Sequence, residues 1–517
     1  MAYKAHQAPI AQLPVELLSY IFVLSAHTPD PRASEEDTQQ EGSDDISPCL
    51  TSSATTPDVL ASVNKHWRGV ALNTPQLWTR ICITIGDVMY HKEGSMFSVV
   101  SRYLSRSGRC PLDIFVDARD PEWDFSETDS IGAVVSPYID LYDYTHPFKA
   151  EHMHHVLNIL MPHVHRFRSL AILTDRWAPM QTALDCLSME IPAFVSTPQP
   201  LPSSLPLLET LILMRCNEFA SYHSEFSPAD RKDPTHLPFS ALLPRSDGAQ
   251  ADVAPVLPRL KKLVLSGVHT QWSRLPQLLP AQDAPMDTLE LSYHCSEVRP
   301  SERECRALLE RCTRLQELKI RVSGPKSPQS PQSCSSAHGE RPLSFPHLER
   351  IVMGYDDPYT SATVLDMFDA PNVRHLTLED SSSPAREDRL DAEPLLRACA
   401  VSSARCGESS FPRVEALSLQ RVDASAEAFG MLFRALPALR SVSVSQMFLL
   451  GSSALRPNVR ITFEPSVLPP SDLVHVDTID ADGELVASKL ALPREGLQGV
   501  GVKPAPVLVE SVPRMLW

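Results

Sequence analysis

PRLKKLVL at 258–265 and PNVRHLTL at 371–378 share one pattern, Pro-x-φ-x-x-φ-x-φ, where φ is apolar. Four more copies keep the proline: PLLETLIL at 206–213, PHLERIVM at 346–353, PRVEALSL at 412–419 and PALRSVSV at 437–444. TRLQELKI at 313–320 replaces Pro by Thr, APMDTLEL at 284–291 displaces it by one, and HRFRSLAI at 165–172 lacks it, which makes nine copies. The last two φ positions are spaced by two, the mark of a short strand with one face buried. The proline upstream ends a preceding helix and needs no ladder donor. Helical stretches precede several octets. SERECRALLERC at 301–312 opens with Ser301 and Glu304 at capping-box spacing, and AEAFGMLFRAL at 426–436 runs into Pro437.

Helix, proline and short strand, repeated, predict an α/β chain whose residues 151–464 form an irregular leucine-rich-repeat solenoid, with short parallel strands on a concave face and helices on the convex one. LETLILMRCN places Leu208, Leu211, Leu213 and Cys216 at the LxxLxLxxC spacing. Middle φ residues lie 41, 52, 26, 29, 33, 25, 41 and 25 apart, against about 20–29 for such repeats. The excess falls in polar insertions at 216–256 and 323–342, read as disordered loops. Ser327 and Ser330 precede prolines, a spacing open to proline-directed phosphorylation, though a plain solvated loop is the simpler reading. Side chains between the inward φ residues point away from the core. Among them Glu290, Glu317, Lys319, Arg321, Arg350, His375, Glu379 and Gln420 are mixed in sign, which suits a folded target protein.

The N-terminal stretch LPVELLSYIFVL at 13–24 puts Leu17, Leu18, Ile21 and Phe22 on one face of a short helix that Pro14 opens. Residues 27–57 come next, with seven acids, one base and few large apolar side chains, and are read as a disordered acidic insertion. Asp58 then stands as the cap of a second helix, DVLASVNKHWRGVAL, and TPQLWTRI leads to a strand-like ICITI. The blocks LPxELLxxIF and LxxVxKxWRxxAxxTPxLW, in this order, resemble the F-box of fungal F-box proteins with leucine-rich repeats. YLSRSGRCPLDIFV at 103–116 is similar to the segment C-terminal to the F-box in those proteins. The resemblance implies a three-helix F-box-like domain over 9–82 that docks a Skp-type adaptor, and through it a cullin. The adaptor contacts it implies are Leu13, Pro14, Leu17, Leu18, Ile21, Phe22, Leu60, Val63, Trp67, Leu77 and Trp78. It also implies a substrate receptor of an SCF-type (Skp–cullin–F-box) ubiquitin ligase. The alternatives are a helical hairpin that only packs on the chain, and a repeat scaffold with no part in ubiquitylation. Residues 83–150 are read as a linker or cap. The 465–517 tail, with a hairpin around Asp482-Gly483, has no assigned role.

Composition narrows the rest. With 47 prolines against 18 glycines and 43% hydrophobic residues, neither collagen nor a wholly disordered chain fits. A net charge of −16 repels phosphate backbones, so no nucleic-acid partner is expected. The apolar run Leu17–Ala26 falls short of the roughly 20 residues that span a bilayer, so no membrane partner is expected either. Eleven scattered cysteines without a CxxC pair suggest reduced thiols in the cytoplasm or nucleus. His152, His154, His155, His163 and His165 cluster in sequence but match no metal spacing. GLQGVGVK at 496–503 lacks the strand–turn–helix setting of a phosphate loop, and Asp480 with Asp482 lacks the spacing of a calcium loop. No metal, cofactor or catalytic residue is expected, and a hidden hydrolase or transferase in the C-terminal half is the remaining enzymatic alternative.

Overall fold

The computed structural model describes residues 10, 13–27, 47–89, 97–120, 146–189, 204–216, 236–243, 255–282, 284–325, 341–382, 389–401, 409–447, 454–456, 459–463, 474–479 and 485–490. They form an α/β protein of two compact units, one made of the described residues through Met286, the other of those from Asp287 onward.

The first unit opens with helices α1 (Val15–His27), α2 (Ser47–Val63) and α3 (Lys65–Leu72), then a 3-10 turn at Pro75–Trp78. Strand β1 (Arg80–Thr84), helices α4 (Ile85–Met89) and α5 (Ser98–Arg106), and strand β2 (Leu112–Ala118) follow. Next come α6 (Ala150–Leu160), β3 (Phe167–Thr174), α7 (Trp177–Ser188), β4 (Thr210–Arg215), β5 (Lys262–Ser266) and α8 (Leu275–Leu278). Strands β1 to β5 pair in chain order, all parallel. Register stacks Ile81, Ile114, Leu170, Leu211 and Leu263 in one row and Ile83, Val116, Ile172, Leu213 and Leu265 in the next, all buried. These rows contain the last two φ positions of each octet, so apolar burial fixes the register.

In the second unit the strands are β6 (Thr288–Ser292), β7 (Glu317–Arg321), β8 (Leu343–Ser344), β9 (Arg350–Tyr355), β10 (Phe368–Asp369), β11 (His375–Asp380), β12 (Ala416–Gln420), β13 (Ser441–Ser445) and β14 (Arg460–Phe463). Helices α9 (Glu302–Glu310), α10 (Pro358–Asp366), α11 (Glu393–Ala400) and α12 (Ala426–Ala435) lie between strands. The parallel order is β6-β7-β9-β11-β12-β13-β14, with β8 and β10 paired apart. Leu289, Leu318, Ile351, Leu376, Leu417, Val442 and Ile461 form one ladder through it. The capping box at α9 is present, with Ser301 N–H donating to Glu304 Oε2 at 2.9 Å.

Four sequence readings are corrected. Of the two readings of 83–150, linker or cap, the linker does not hold, since α5 and β2 lie within it and β2 joins the sheet. The acidic insertion ends earlier than expected: α2 begins at Ser47, with Pro48 in its first turn and Pro57 inside it, and residues 28–46 lie outside the described residues. Asp58 therefore sits within a helix rather than capping one, and Asn64 caps α3 by accepting from Trp67 N–H at 2.8 Å. Polar excursion 216–256 contains an anchored piece, with Leu237 and Phe239 buried and Phe239 N–H donating to the Leu187 carbonyl at 2.8 Å. Most of 323–342, including Ser327 and Ser330, lies outside the described residues. At the C-terminal end β14 extends the ladder past the last octet. Strands β15 (Val474–Ile479) and β16 (Leu485–Leu490) pair antiparallel as the expected hairpin, whose Asp482-Gly483 turn lies outside the described residues.

A recurring turn is built largely without glycine. The residue just after β5, β6, β7, β12 and β13 has positive φ: Gly267 (60°), Tyr293 (55°), Val322 (50°), Arg421 (56°) and Gln446 (54°). Only one is glycine, and the left-handed conformation costs roughly 1–2 kcal/mol per L-residue. The conformation is held because the N–H of Tyr293, Val322 and Arg421 still donates to a neighbouring-strand carbonyl, at 2.8, 2.9 and 2.9 Å.

Candidate functional site

The N-terminal helices divide the residues that the F-box resemblance singles out. Helix α1 buries Leu18, Phe22 and Ala26, and Phe22 packs its ring 4.8 Å from that of Trp67. Leu77 and Trp78 are buried as well. On the opposite side of α1, Leu17, Tyr20, Ile21 and Leu24 form a second apolar stripe that is 52%, 62%, 42% and 46% exposed. At 100° per residue the two stripes are centred about half a turn apart. Val63 is exposed on α2, together with Val59 one turn earlier, and Leu72 is exposed on α3. Leu13, Leu60 and Trp67 are half-buried, and Pro14 is exposed. The single face read from sequence is thus two faces. Leu18, Phe22, Leu77 and Trp78 are packing residues, while Leu17, Ile21 and Val63 are available for contact. Tyr20, Leu24, Val59 and Leu72 were missed, although all four continue the spacing of the exposed stripes or of their own helices.

Helix α5 clamps this module to β1 and the Trp78 turn. The Tyr103 hydroxyl lies 2.8 Å from the Ala54 carbonyl and 3.0 Å from Asp58 Oδ2. Burial first, and then the Asp58 carboxylate, push the Tyr103 phenol above its ordinary pKa. Arg102 donates to Asp58 at 2.9 Å, with Arg106 3.7 Å away on the other oxygen. The Arg106 guanidinium also sits 4.3 Å over the Trp78 ring. Arg80 at the start of β1 donates to the carbonyls of Ala26 and His27 at 3.2 and 3.1 Å, tying the end of α1 to the sheet.

The outward face of the sheet differs between the units. In the second unit, the charged residues expected to meet a target are largely paired with one another. Lys319 Nζ lies 3.8 Å from Glu290 and 3.7 Å from Glu317. Arg321 lies 3.5 Å from Glu290 and 3.1 Å from Glu379, and Arg350 3.6 Å from Glu317. Ser381 and Ser292 hydroxyls donate to Glu379 and Glu290 at 2.6 and 3.0 Å. Burial works to lower the Arg321 pKa, but Glu379, Tyr293 and Glu290 outweigh it and hold the group above its ordinary value. Arg350 and His375 stay exposed, and Gln420 is half-buried. Of the eight positions, Glu290, Glu317, Lys319, Arg321, Arg350 and Glu379 thus act on each other, which leaves His375 and Gln420 outside the network.

Gly354 makes room for the Arg321–Glu379 pair, which skips a strand. It sits in register between Arg321 on β7 and Glu379 on β11, so the ion pair passes over it. A Cβ there would lie 2.5 Å from Ser381 Oγ, 2.9 Å from Arg321 Cγ and 3.0 Å from Glu379 Oε1. Gly354→Ala is expected to cost about 1–3 kcal/mol, as overpacking does, read as a lower midpoint in chemical denaturation. An unchanged midpoint would show that the pair moves aside freely.

In the first unit the outward face is apolar at its middle row: Cys82, Phe115, Ala171, Ile212 and Val264 are register neighbours. Small Ser169 and Ala171 on β3 leave a notch between larger neighbours. The resulting cleft of about 320 Å³ is also bordered by Arg80, Asp113, Thr210 and Lys262, with Ala54 of α2 beside it. By the same octet reading Thr210, Ile212, Lys262 and Val264 point outward, yet Ile212 and Val264 are buried in an apolar cluster with Phe115, Ala171 and Leu173, and the cleft was missed because β1 and β2 carry no octet.

The histidine cluster does not converge. His152 Nδ1 accepts from Lys149 N–H at 3.0 Å, and His154 meets Cys186 at 3.5 Å. Among the described residues, no group of three or more His, Cys, Asp or Glu side chains is placed to hold a metal ion, and no helix is long and apolar enough to cross a membrane. Comparison with known protein families and with curated proteins finds no match to this chain.

Proposed function

We propose that this chain is the target-recognition subunit of an SCF-type ubiquitin ligase. Its N-terminal helices act as an F-box that docks a Skp-type adaptor, and through it a cullin. The parallel strands act as a leucine-rich-repeat receptor for a target protein. The chain itself contributes proximity and orientation, while other subunits carry out ubiquitin transfer. One observation carries the reading: α1 is apolar on both sides, and among the described residues one side is buried while the other stays exposed. A helix that is hydrophobic all round is normally buried all round, and exposed apolar surface of this kind marks an interaction site. An amphipathic helix laid in a partner's groove uses such i, i+3, i+4, i+7 anchors, the spacing of Leu17, Tyr20, Ile21 and Leu24. The test is a pull-down of a recombinant Skp-type adaptor with the full chain. Leu17→Asp with Ile21→Asp is expected to weaken capture by more than about 100-fold, because charges would be buried in an apolar contact. Undiminished capture by the folded double variant would reject the docking face.

A further inference from the structure

We infer that the second unit meets its target at the starts of β7, β9, β11 and β12, in a polar cleft that takes a carboxylate side chain of the target protein. The inference rests on the target-recognition reading above and names the chemistry of that contact. On the strands themselves the charged side chains pair with one another. One residue upstream the pattern changes. Backbone bonds carry the ladder back by one step, with Glu349 N–H donating to the Gln316 carbonyl at 2.9 Å and Arg374 N–H to that of Glu349 at 2.8 Å. Along this edge lies a cleft of about 260 Å³ bordered by Gln316, His347, Glu349, Asn372, Arg374 and Arg413.

Two features distinguish the cleft from a patch of solvated charge. The first is that Arg413 is held in place. Its Nη1 donates to Asn372 Oδ1 at 2.6 Å, and Asn372 Nδ2 donates to the Pro346 carbonyl at 2.7 Å, which fixes the way the amide faces. Both acceptors are neutral, so the guanidinium keeps its full charge and its other N–H donors. Held in this way it loses less entropy on binding a carboxylate, which an arginine grips with two parallel N–H bonds. The second feature is the charge balance. Arg374 is exposed and makes no side-chain hydrogen bond or ion pair among the described residues. Glu349 is the acid on the cleft wall, and it too makes no ion pair among the described residues. The neighbouring acids are engaged. Glu415 is met by Arg440 at 3.1 Å, Glu317 by Lys319 and Arg350 at 3.7 and 3.6 Å, and Asp287 accepts from Gln316 Nε2 at 3.4 Å. Two arginines against one glutamate leave one positive charge, which a single carboxylate cancels. A phosphate group brings roughly −1.5 to −2 and would be repelled more strongly by Glu349. In a chain of net charge −16 an acidic target is opposed over most of the surface, so a local cationic cleft sets where it can approach.

The full chain is titrated with a dye-labelled peptide of alternating glycine and glutamate, followed by fluorescence anisotropy, and with the same peptide carrying glutamine for glutamate. The glutamate peptide is expected to bind about 10-fold tighter, as charge-assisted bonds to arginine require. Arg374→Glu with Arg413→Glu removes that preference. Glu349→Gln strengthens binding of the glutamate peptide by about 3-fold, because a like charge leaves the wall. Asn372→Leu weakens it by about 3-fold, because Arg413 is present but no longer held. Arg303→Glu, at an exposed position on α9, serves as the unaffected control. Each variant is melted beside the parent, and Arg374→Gln with Arg413→Gln replaces the charge reversal if the reversal melts early. Equal binding of the two peptides, or a preference that survives loss of both arginines, overturns the inference. So does displacement of the peptide by inorganic phosphate at a concentration where acetate has no effect, which would make the cleft a phosphate site. No adaptor enters the measurement. These results therefore leave the adaptor-docking reading standing, and failed adaptor capture leaves the cleft to be judged on its own binding.

Discussion

Arg321→Ala is expected to destabilise the second unit by about 3 kcal/mol, the lower end for removing one partner of a buried ion pair. The side chains of Arg321, Glu379 and Glu290 are 15%, 14% and 12% exposed, so water offers the orphaned carboxylates only partial relief. Lys319, 3.8 Å from Glu290, compensates one of them, while among the described residues Glu379 keeps the Ser381 hydroxyl alone. The cost should therefore fall mostly on Glu379. Arg321→Met with Glu379→Gln is expected to regain most of the loss, because a well-packed neutral pair can match a buried ion pair. Chemical denaturation of Arg321→Met, Glu379→Gln and their combination closes a cycle whose coupling term isolates the pair. Additive losses would mean that the two side chains do not act together. The result also bears on target capture. A residue that stabilises its own strand is a poor witness for binding, since its removal weakens the fold before any contact is lost.

The strands that rest on octets could be read from sequence because a strand buried on one face repeats its apolar side chains every second residue, and a proline stands upstream of most of them. That logic covers β3 to β7, β9 and β11 to β13. It misses β2, because Pro111 directly precedes its LDIFVDA instead of standing at the octet position, and it reads β1 as part of the helical domain. Both strands acquire their place from pairing with neighbours, which is a long-range fact. Helix α2 shows the same limit. SPCLTSSATTP is poor in strong helix formers, yet the Tyr103 contacts to Ala54 and Asp58 tie its middle to α5. Tertiary contact overrides weak local preference here. The charged network was half-legible. Glu290 and Lys319 hold the same octet position in successive copies, so opposite charges were due to be strand neighbours once parallel register is assumed. The Arg321–Glu379 pair was not visible that way, because it skips a strand and depends on Gly354 leaving room. Helix α1 was legible as apolar but not as two-sided, since a pattern at 17, 18, 21 and 22 describes one broad face until one half of it is seen to be buried.

Trp78→Ala is expected to cost about 4 kcal/mol, within the range for deleting a fully buried aromatic side chain. Trp78 fills the junction of the N-terminal helices, α5 and β1, and its loss removes three separate attachments. Its Nε1 donates to the Ala71 carbonyl at 2.9 Å, its ring receives the edge of Tyr103 at 5.0 Å, and Arg106 lies over its face at 4.3 Å. Trp78→Phe should retain part of the ring contact and lose the hydrogen bond, at about 1–2 kcal/mol. Far-ultraviolet circular dichroism during thermal unfolding orders the three proteins, and equal melting of all three would mean that the junction contributes little. This ordering decides how adaptor-binding data are to be read. Trp78→Ala should also lose the adaptor, but through collapse of the module, as should Phe22→Ala beneath α1. Leu17→Asp and Ile21→Asp sit on the exposed stripe and should melt within about 0.5 kcal/mol of the parent, as exposed substitutions generally do. Lost binding with retained melting therefore belongs to the docking face, and lost binding with lost melting to the core beneath it. If the exposed-stripe variants melted early as well, the second stripe of α1 would be a packing surface, and the case for a docked partner would fall.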